Sequence, residues 1–207
     1  MHPTSLELLA RQLVEGLRGD HDVFCRELVR LLARGHPVTP ERLASALQMT
    51  TEQVGGVLAG LADLEVDPSG NVVGWGLTFV PTPHRFRVQG QQFYTWCALD
   101  ALTYPALLRL SARVESSCPA RGTPVTLSVT PAGVHDLAPA GAIVSLVIPE
   151  QGSTCDCDRA SFCNQSLFFR SSRDALLWQA LSQNARLLSV AEASQVGRLI
   201  ARYRYPS

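Results

Sequence analysis

The sequence predicts an α+β fold, in which a helical, winged-helix-like N-terminal module precedes an antiparallel-sheet domain with flanking helices. Three observations support this prediction. Apolar residues recur at steps of three or four through the first 63 residues. Between residues 113 and 170, β-branched residues alternate with polar ones, and proline and glycine separate the runs. Helical spacing then returns near the end. With Pro81-Thr82-Pro83 as a linker, we expect domains over 1–80 and 81–207.

Four helices are expected in the N-terminal module. The first carries an apolar stripe at helical spacing, formed by Leu6, Leu9, Leu13 and Leu17. The second spans 22–33 and ends before Gly35 and Pro37. Thr39-Pro40-Glu41 is typical of a helix start, which predicts a short helix over 41–47. Thr51 opens a fourth over 52–62, and the turn 67–71 between β-prone segments completes a winged-helix pattern.

A winged-helix pattern raises the question of DNA binding. Recognition helices contact phosphates and base edges with Arg, Lys, Asn or Gln, but the segment TEQVGGVLAGLAD contains no basic residue. The formal net charge of the chain is zero, so it has no general attraction for nucleic acid or for anionic lipid. We therefore expect no nucleic-acid or membrane partner and interpret the module as a packing unit.

The second domain is expected to begin with a strand over 84–88 and a turn at Gly90. The next segment, 92–110, has helical apolar spacing through about Thr103, and Pro105 is expected to kink or end that helix. Four β-prone runs follow, namely RVESSC, TPVTLSV, AIVSLVIP and SLFFR. Two closing helices fit 173–183 and 190–203.

The compartment follows from the N-terminal segment and the cysteines. Charged residues interrupt the first apolar residues at helical spacing, unlike a secretory signal, and no run approaches the roughly 20 apolar residues of a membrane span. We therefore expect a cytoplasmic protein whose six cysteines stay reduced. Reduced thiols serve packing, metal binding or catalysis.

Two segments carry candidate site residues. Cys97 and Asp100 lie three apart in the predicted helix, which places a thiol and a carboxyl on one face. Cys163 lies just before SLFFR, where a loop gives way to a strand, and such positions often carry functional groups. Each cysteine alone is equally consistent with a buried small hydrophobe. The GxSxG, GxGxxG and HExxH patterns are missing, and the lack of lysine excludes a Schiff base.

A further pair of thiols, Cys155 and Cys157, is separated by one residue. Zinc sites usually place two to four residues between their cysteines, and the five histidines form no HxxxH or HxxE pattern. Three interpretations stay open: a solvated acidic loop, an accessory thiol pair that handles metal, and a structural zinc site.

Taken together, these segments resemble the organomercurial (alkylmercury) lyases. FYTWCALDALTYPALL, at 93–108, looks like the first active-site helix of that family, and SFCNQSLFF, at 161–169, looks like its second active-site segment. Further similar stretches are RVESSCPARGTPVTLSV, AIVSLVIP, GHPVTPERLASAL, GNVVGWGLT and SVAEA. The chain departs from the family at Asn164, where some members carry another cysteine, and in the Cys155/Cys157 pair.

The resemblance implies that Cys97 and Cys163 are the catalytic thiols and Asp100 the catalytic carboxyl, all three contacting mercury. It implies that Cys118 is structural and that no cofactor is bound, since Hg(II) is a product and free thiols support turnover. The substrate would be an organomercurial, and Hg(II) would pass to low-molecular-weight thiols or to mercuric reductase. We expect a monomer or a weak homodimer. The alternative is a non-enzymatic thiol-based metal-binding protein or a metal-responsive winged-helix regulator.

The chemistry of this reaction suits these residue types. Mercury(II) is a soft ion, and thiolate is the softest ligand that a side chain offers. Cleavage of a carbon–mercury bond also needs a proton source, and a carboxyl in an apolar pocket has a raised pKa. We expect Trp96 and Phe162 to supply those apolar surroundings for Asp100.

Overall fold

The N-terminal part consists of α1 (Ser5–Leu17), α2 (Asp22–Leu32), α3 (Pro40–Leu47) and α4 (Thr51–Gly60). The computed structural model describes residues 4–17, 21–148, 159, 162–178 and 184–205. Thr39 caps α3 by accepting a hydrogen bond from the N–H of Arg42 at 3.2 Å, with proline at the start of the helix as predicted. α4 begins one residue earlier than expected, because Thr50 and Gln53 form a capping box.

The wing consists of β1 (Glu65–Val66), β2 (Val72–Trp75) and β3 (Leu77–Thr78), which pair antiparallel. The predicted turn forms between the first two strands. There, the Asp67 carboxylate accepts hydrogen bonds from the N–H groups of Ser69 and Asn71 at 2.8 and 2.9 Å. An isolated bridge joins Val38 to Val72 and so ties the helices to the wing. The winged-helix-like module is confirmed.

The main sheet continues from the wing into the rest of the chain. Its further strands are β4 (His84–Val88), β5 (Gln91–Thr95), β6 (Ala112–Ser117), β7 (Pro124–Thr130) and β8 (Gly133–Ala138). The strand order is β1-β2-β3-β5-β4-β6-β7-β8, with antiparallel pairing throughout. A smaller antiparallel sheet places β9 (Ile143–Leu146) between β10 (Phe168–Phe169) and β11 (Arg186–Ser189). The predicted α+β class is confirmed. The domain boundary at residue 80 stays a prediction.

Three further helices pack on these sheets: α5 (Ala98–Leu108), α6 (Ser172–Leu176) and α7 (Val190–Arg204). The first lies against the last, and Gly197 permits their close contact, because a Cβ there would approach the Leu102 backbone to 3.0 Å. Residues 179–183 of the predicted helix 173–183 lie outside the described residues. Among the helices that are described, none has both the length and the apolarity needed to cross a bilayer.

The segment 92–110 differs from its prediction as a single helix. It begins as β5, because Phe93, Tyr94 and Thr95 are aromatic or β-branched and alternate in burial. The helix starts only at Ala98 and continues through Pro105 to Leu108. This helix is buried along most of its length, so tertiary packing overrides the preference of proline to end it. The strands β8 and β11 were not predicted, since their sequences show weak alternation.

Gly76 lies where the wing meets α5 and provides a test of this packing. Its φ is +72°, and a Cβ there would overlap the hydroxyl of Tyr104. Gly76→Ala should therefore lower the free energy of unfolding by about 2–4 kcal/mol, combining left-handed strain with overpacking. Urea denaturation measures this loss. Gly70→Ala is the matched control, because its φ is +81° with open space around it. Equal losses in the two variants would contradict a steric role for Tyr104.

Candidate active site

The sequence predicts that Cys97 lies inside a helix. In the structure it is instead the N-cap of α5. Its backbone is extended, with φ −147° and ψ 171°. Its Sγ accepts the N–H of Asp100 at 3.4 Å, and its thiol donates to Oδ2 of the same residue at 3.2 Å. The thiol and carboxyl are therefore adjacent, as predicted from their spacing, but the contact arises from helix capping.

Ser166 joins the segment that contains Cys163 to the start of α5. Its carbonyl accepts the N–H of Ala98 at 2.9 Å, and its Oγ accepts the N–H of Leu99 at 3.1 Å. Ser145 of β9 fixes this segment in turn, because its Oγ donates to the Gln165 carbonyl at 2.6 Å. Cys163 lies three residues before Ser166, in a short 3-10 helix over Cys163–Gln165. The hydrogen bonds that cap α5 thus place Cys163 close to Cys97.

The three predicted site residues converge. The ligand atoms of Cys97, Asp100 and Cys163 all lie within 4.8 Å of one another. Within the described part of the chain, no other group of three His, Cys, Asp or Glu side chains is close enough to hold an ion. Both cysteines are buried, and Asp100 is partly buried. Cys118 is buried in a separate small cluster with Phe169 and Ala175, as expected of a packing residue.

Three further cysteines remain: Cys25, Cys155 and Cys157. Cys155 and Cys157 lie outside the described residues, so their predicted role in metal handling stays a prediction. Cys25 is buried on the apolar face of α2.

A small cavity of about 40 Å³ adjoins Asp100 and Cys163. Trp96 and Phe162 line it, as expected, and the N-terminal module contributes Leu17 and Trp75. The two indole rings lie 6.3 Å apart in a tilted arrangement. Asp100 and Cys163 therefore face a largely aromatic space that has room for only a few water molecules.

Burial controls the protonation of the site. It raises the pKa of Asp100 to about 6, although hydrogen bonds from Cys97 and Tyr104 and the charge of Arg204 act in the opposite direction. Burial also raises the pKa of the Cys97 thiol, while a hydrogen bond with Cys163 lowers it. At neutral pH, Asp100 is therefore mostly a carboxylate that accepts a hydrogen bond from a protonated Cys97.

Two supporting residues were missed in the sequence. Tyr104 follows Asp100 by four residues, a helical spacing that identifies it as a neighbour in retrospect. Arg204 of α7 lines the cavity and pairs with Asp22 at 2.6 Å, with both side chains largely buried. This ion pair joins residues 182 apart, so no local pattern reveals it.

A second missed contact joins the wing to the Cys163 segment. Arg159 pairs with Glu65 at 2.7 Å, and its guanidinium lies 4.9 Å from the ring centre of Trp96. The indole N–H of Trp96 donates to the same carboxylate at 3.2 Å. The Arg159 carbonyl accepts the N–H of Asn164 at 2.9 Å. Glu65 thus positions both a wall of the cavity and the residue that follows Cys163.

Two buried thiols and a carboxyl converge beside one small aromatic cavity, and such a group of ligands defines a binding site for a soft metal. Comparison with known proteins agrees with this class. Residues 77–202 match the family model for alkylmercury lyase, and residues 7–76 match that for the helix-turn-helix domain of alkylmercury lyase.

Individual relatives are similar over most of their length. The chain is 47% identical to the alkylmercury lyase of Streptomyces lividans, over 84% of this chain and 79% of that protein. It is 42% identical to the Bacillus cereus alkylmercury lyase over the same shares. The crystal structure of the mercury-bound form of MerB2 has the same fold, with a TM-score of 0.77 at 20% identity over 98% of this chain and 100% of that one.

The chain belongs to the alkylmercury lyase family. It is accordingly an enzyme that acts on the carbon–mercury bond of organomercurials, which favours the predicted lyase over a non-enzymatic metal-binding protein or a regulator.

The raised pKa of Asp100 predicts a stabilising substitution. The native pKa of about 6 exceeds the usual 3.8, so the native state loses stability as the pH rises through this interval. Asp100→Asn removes the buried charge and should raise the free energy of unfolding at pH 8 by up to about 3 kcal/mol. The gain should vanish at about pH 3 and below, where the carboxyl is protonated in both states. Urea denaturation at the two pH values tests this, and a destabilised variant at pH 8 would refute it.

Proposed function

We propose that this enzyme protonates the carbon of the carbon–mercury bond, using Cys97, Asp100 and Cys163 as the reacting groups. The supporting observation is the 4.8 Å limit on the separation of their ligand atoms. Two metal–sulfur bonds of about 2.3 Å, the length found for zinc, place their sulfurs at most about 4.6 Å apart. The two thiols can therefore bind one ion with only a small adjustment.

The reaction begins with proton transfer from the Cys97 thiol to the Asp100 carboxylate, along their hydrogen bond of 3.2 Å. The resulting thiolate binds the mercury of the organomercury cation and displaces its counter-ligand. Cys163 loses its proton to solvent and forms the second sulfur–mercury bond, which moves electron density onto the carbon. Asp100 then protonates the carbon, and the electron pair of the carbon–mercury bond becomes the new carbon–hydrogen bond.

The overall reaction is balanced in atoms and in charge. One organomercury cation and two thiols give one hydrocarbon, one mercury(II) dithiolate and one released proton. Hg(II) is a product of the reaction, and the proposed chemistry needs no resident cofactor. Thiol exchange with low-molecular-weight thiols or with mercuric reductase would return both cysteines to their free form.

The surroundings favour each charge that this sequence creates. Cys97 caps α5, so its thiolate lies at the positive end of the helix dipole. The aromatic walls limit the access of water, which strengthens the interaction between the thiol and the carboxylate. The positive charge of Arg204 favours the ionised form of Asp100 that accepts the proton.

Removal of either thiol or of the carboxyl tests the proposal directly. Cys97→Ser, Cys163→Ser and Asp100→Asn should each reduce hydrocarbon release by at least about 10²-fold, the usual contribution of a proton-transfer group. Gas chromatography with an alkylmercury substrate and excess thiol measures this release. Cys118→Ser is the matched control, because Cys118 is equally buried but lies in a separate cluster. Normal turnover by Cys163→Ser would eliminate the two-thiol mechanism.

The pH profile tests the role of Asp100 as the proton acceptor. The pKa of about 6 should give kcat/KM a limb near pH 6, with activity lost below it as the carboxyl becomes protonated. Arg204→Met removes a positive charge that lowers this pKa, so the limb should move to higher pH.

Asp22→Asn provides the opposite perturbation. It removes the carboxylate that pairs with Arg204 at 2.6 Å, so the net positive field at Asp100 increases and the limb should move to lower pH. Both variants break a buried ion pair, which costs about 3–5 kcal/mol of stability, so circular dichroism must first show that they are folded. If the pH limb of kcat/KM lies at the same pH in both folded variants, Asp100 is excluded as the titrating group.

A further inference from the structure

A second and much larger cavity, of about 580 Å³, lies on the other side of Tyr205, which lines both cavities. Its walls come from the ends of α2, α5 and α7 and from the turn that precedes β8. A volume of this size lies within the range of about 300–1,000 Å³ that is typical of small-molecule sites. None of the reacting groups of the proposed mechanism lines it.

Four arginines line this cavity, which we call the arginine cavity: Arg30, Arg109, Arg198 and Arg202. No Asp or Glu is among the described residues of its walls. The C-terminal ends of α2, α5 and α7 contribute roughly half a negative charge each, which leaves most of the four positive charges uncompensated. The formal net charge of the whole chain is zero, so this excess of positive charge is local.

Ion pairs between described residues do not account for these arginines. The guanidinium of Arg30 lies 3.9 Å from the carboxylate of Glu27. Both side chains are partly exposed, so this ion pair is weak. Arg109 and Arg202 take part in none of the ion pairs between described residues. Their guanidinium groups therefore keep their capacity to bind an anion.

Arg198 provides an independent indication of a ligand. Its Nη1 donates to the carbonyl of Ala132, which fixes the guanidinium at the cavity wall. Its Nε is buried and has no hydrogen-bond partner among the described residues. A buried donor without a partner costs free energy that a bound acceptor can recover.

We propose that the arginine cavity binds a small organic anion with two or more carboxylates. The fork of a guanidinium group matches a carboxylate in bidentate geometry, and several such forks around one cavity favour a ligand with several carboxylates. Two sources share this chemistry: a metabolite without a thiol, and a thiol that carries carboxylates and accepts Hg(II) from the neighbouring site. The second source rests on the proposed function, whereas binding itself does not.

Calorimetric titration of the intact protein with citrate at low ionic strength tests the site. Citrate should bind, and Arg198→Met/Arg202→Met should weaken binding at least tenfold. Arg198→Lys/Arg202→Lys keeps the charges without the forks and should give an intermediate loss. Arg87→Met/Arg113→Met is the matched control, since it removes two exposed arginines that pair across β4 and β6 and should leave binding unchanged. Absence of citrate binding, or equal affinity in all variants, would overturn the proposal.

Turnover assays distinguish the two sources. With neutral 2-mercaptoethanol as the thiol, Arg198→Met/Arg202→Met should turn over like the unchanged protein. If the ligand is a carboxylate thiol, mercaptosuccinate should support faster turnover than 2-mercaptoethanol, and the advantage should disappear in this variant. If the ligand carries no thiol, citrate binds but the two thiols behave alike. If the unchanged protein shows no turnover with any thiol, the proposed mechanism fails. The proposed anion site is tested separately, because citrate binding does not depend on that mechanism.

Discussion

The capping of α5 is the interaction on which the rest of the site depends. The first N–H groups of a helix have no partner within the helix and must be satisfied from elsewhere. Here the backbone and side chain of Ser166 satisfy the first two, and the sulfur of Cys97 satisfies the third. Because Ser166 and Cys163 share one short segment, the same hydrogen bonds that stabilise the helix also bring the two thiols together. The geometry of the proposed reacting groups and the local stability of the helix therefore depend on the same hydrogen bonds.

The structure agrees with the predicted elements where the sequence signal is local. Thr39-Pro40 marks the start of α3, and the turn at Asp67 marks the wing. These signals work because a side chain bonds to the backbone within a few residues. The candidate site was also identified in advance, through the spacing of Cys97 and Asp100 and through resemblance of both segments to a known family. The three ligand groups do converge, although their catalytic roles are still proposals.

The remaining features depend on contacts between distant residues. The apolar spacing of β5 continues that of α5 and so predicts a helix, and only the pairing of β5 with β3 and β4 distinguishes the two. Ser166 reaches α5 across 67 residues, and Arg159 reaches Glu65 across 94. No periodicity or motif encodes such pairs. They become visible only when the fold brings the residues together, so the supporting groups of the site were missed although its reacting groups were not.

The N-terminal module has a structural explanation that does not involve nucleic acid. It contributes Leu17 and Trp75 to the wall of the active-site cavity. Its Asp22 holds Arg204 beside the cavity, and its Glu65 holds Arg159 and Trp96. A single sheet also runs from the wing into the strand that leads to Cys97. Each of these contacts encloses or orients a buried carboxyl and thiol whose burial is itself unfavourable. The module thus contributes part of the enclosure around Asp100, and burial is the main cause of the raised pKa of that carboxyl.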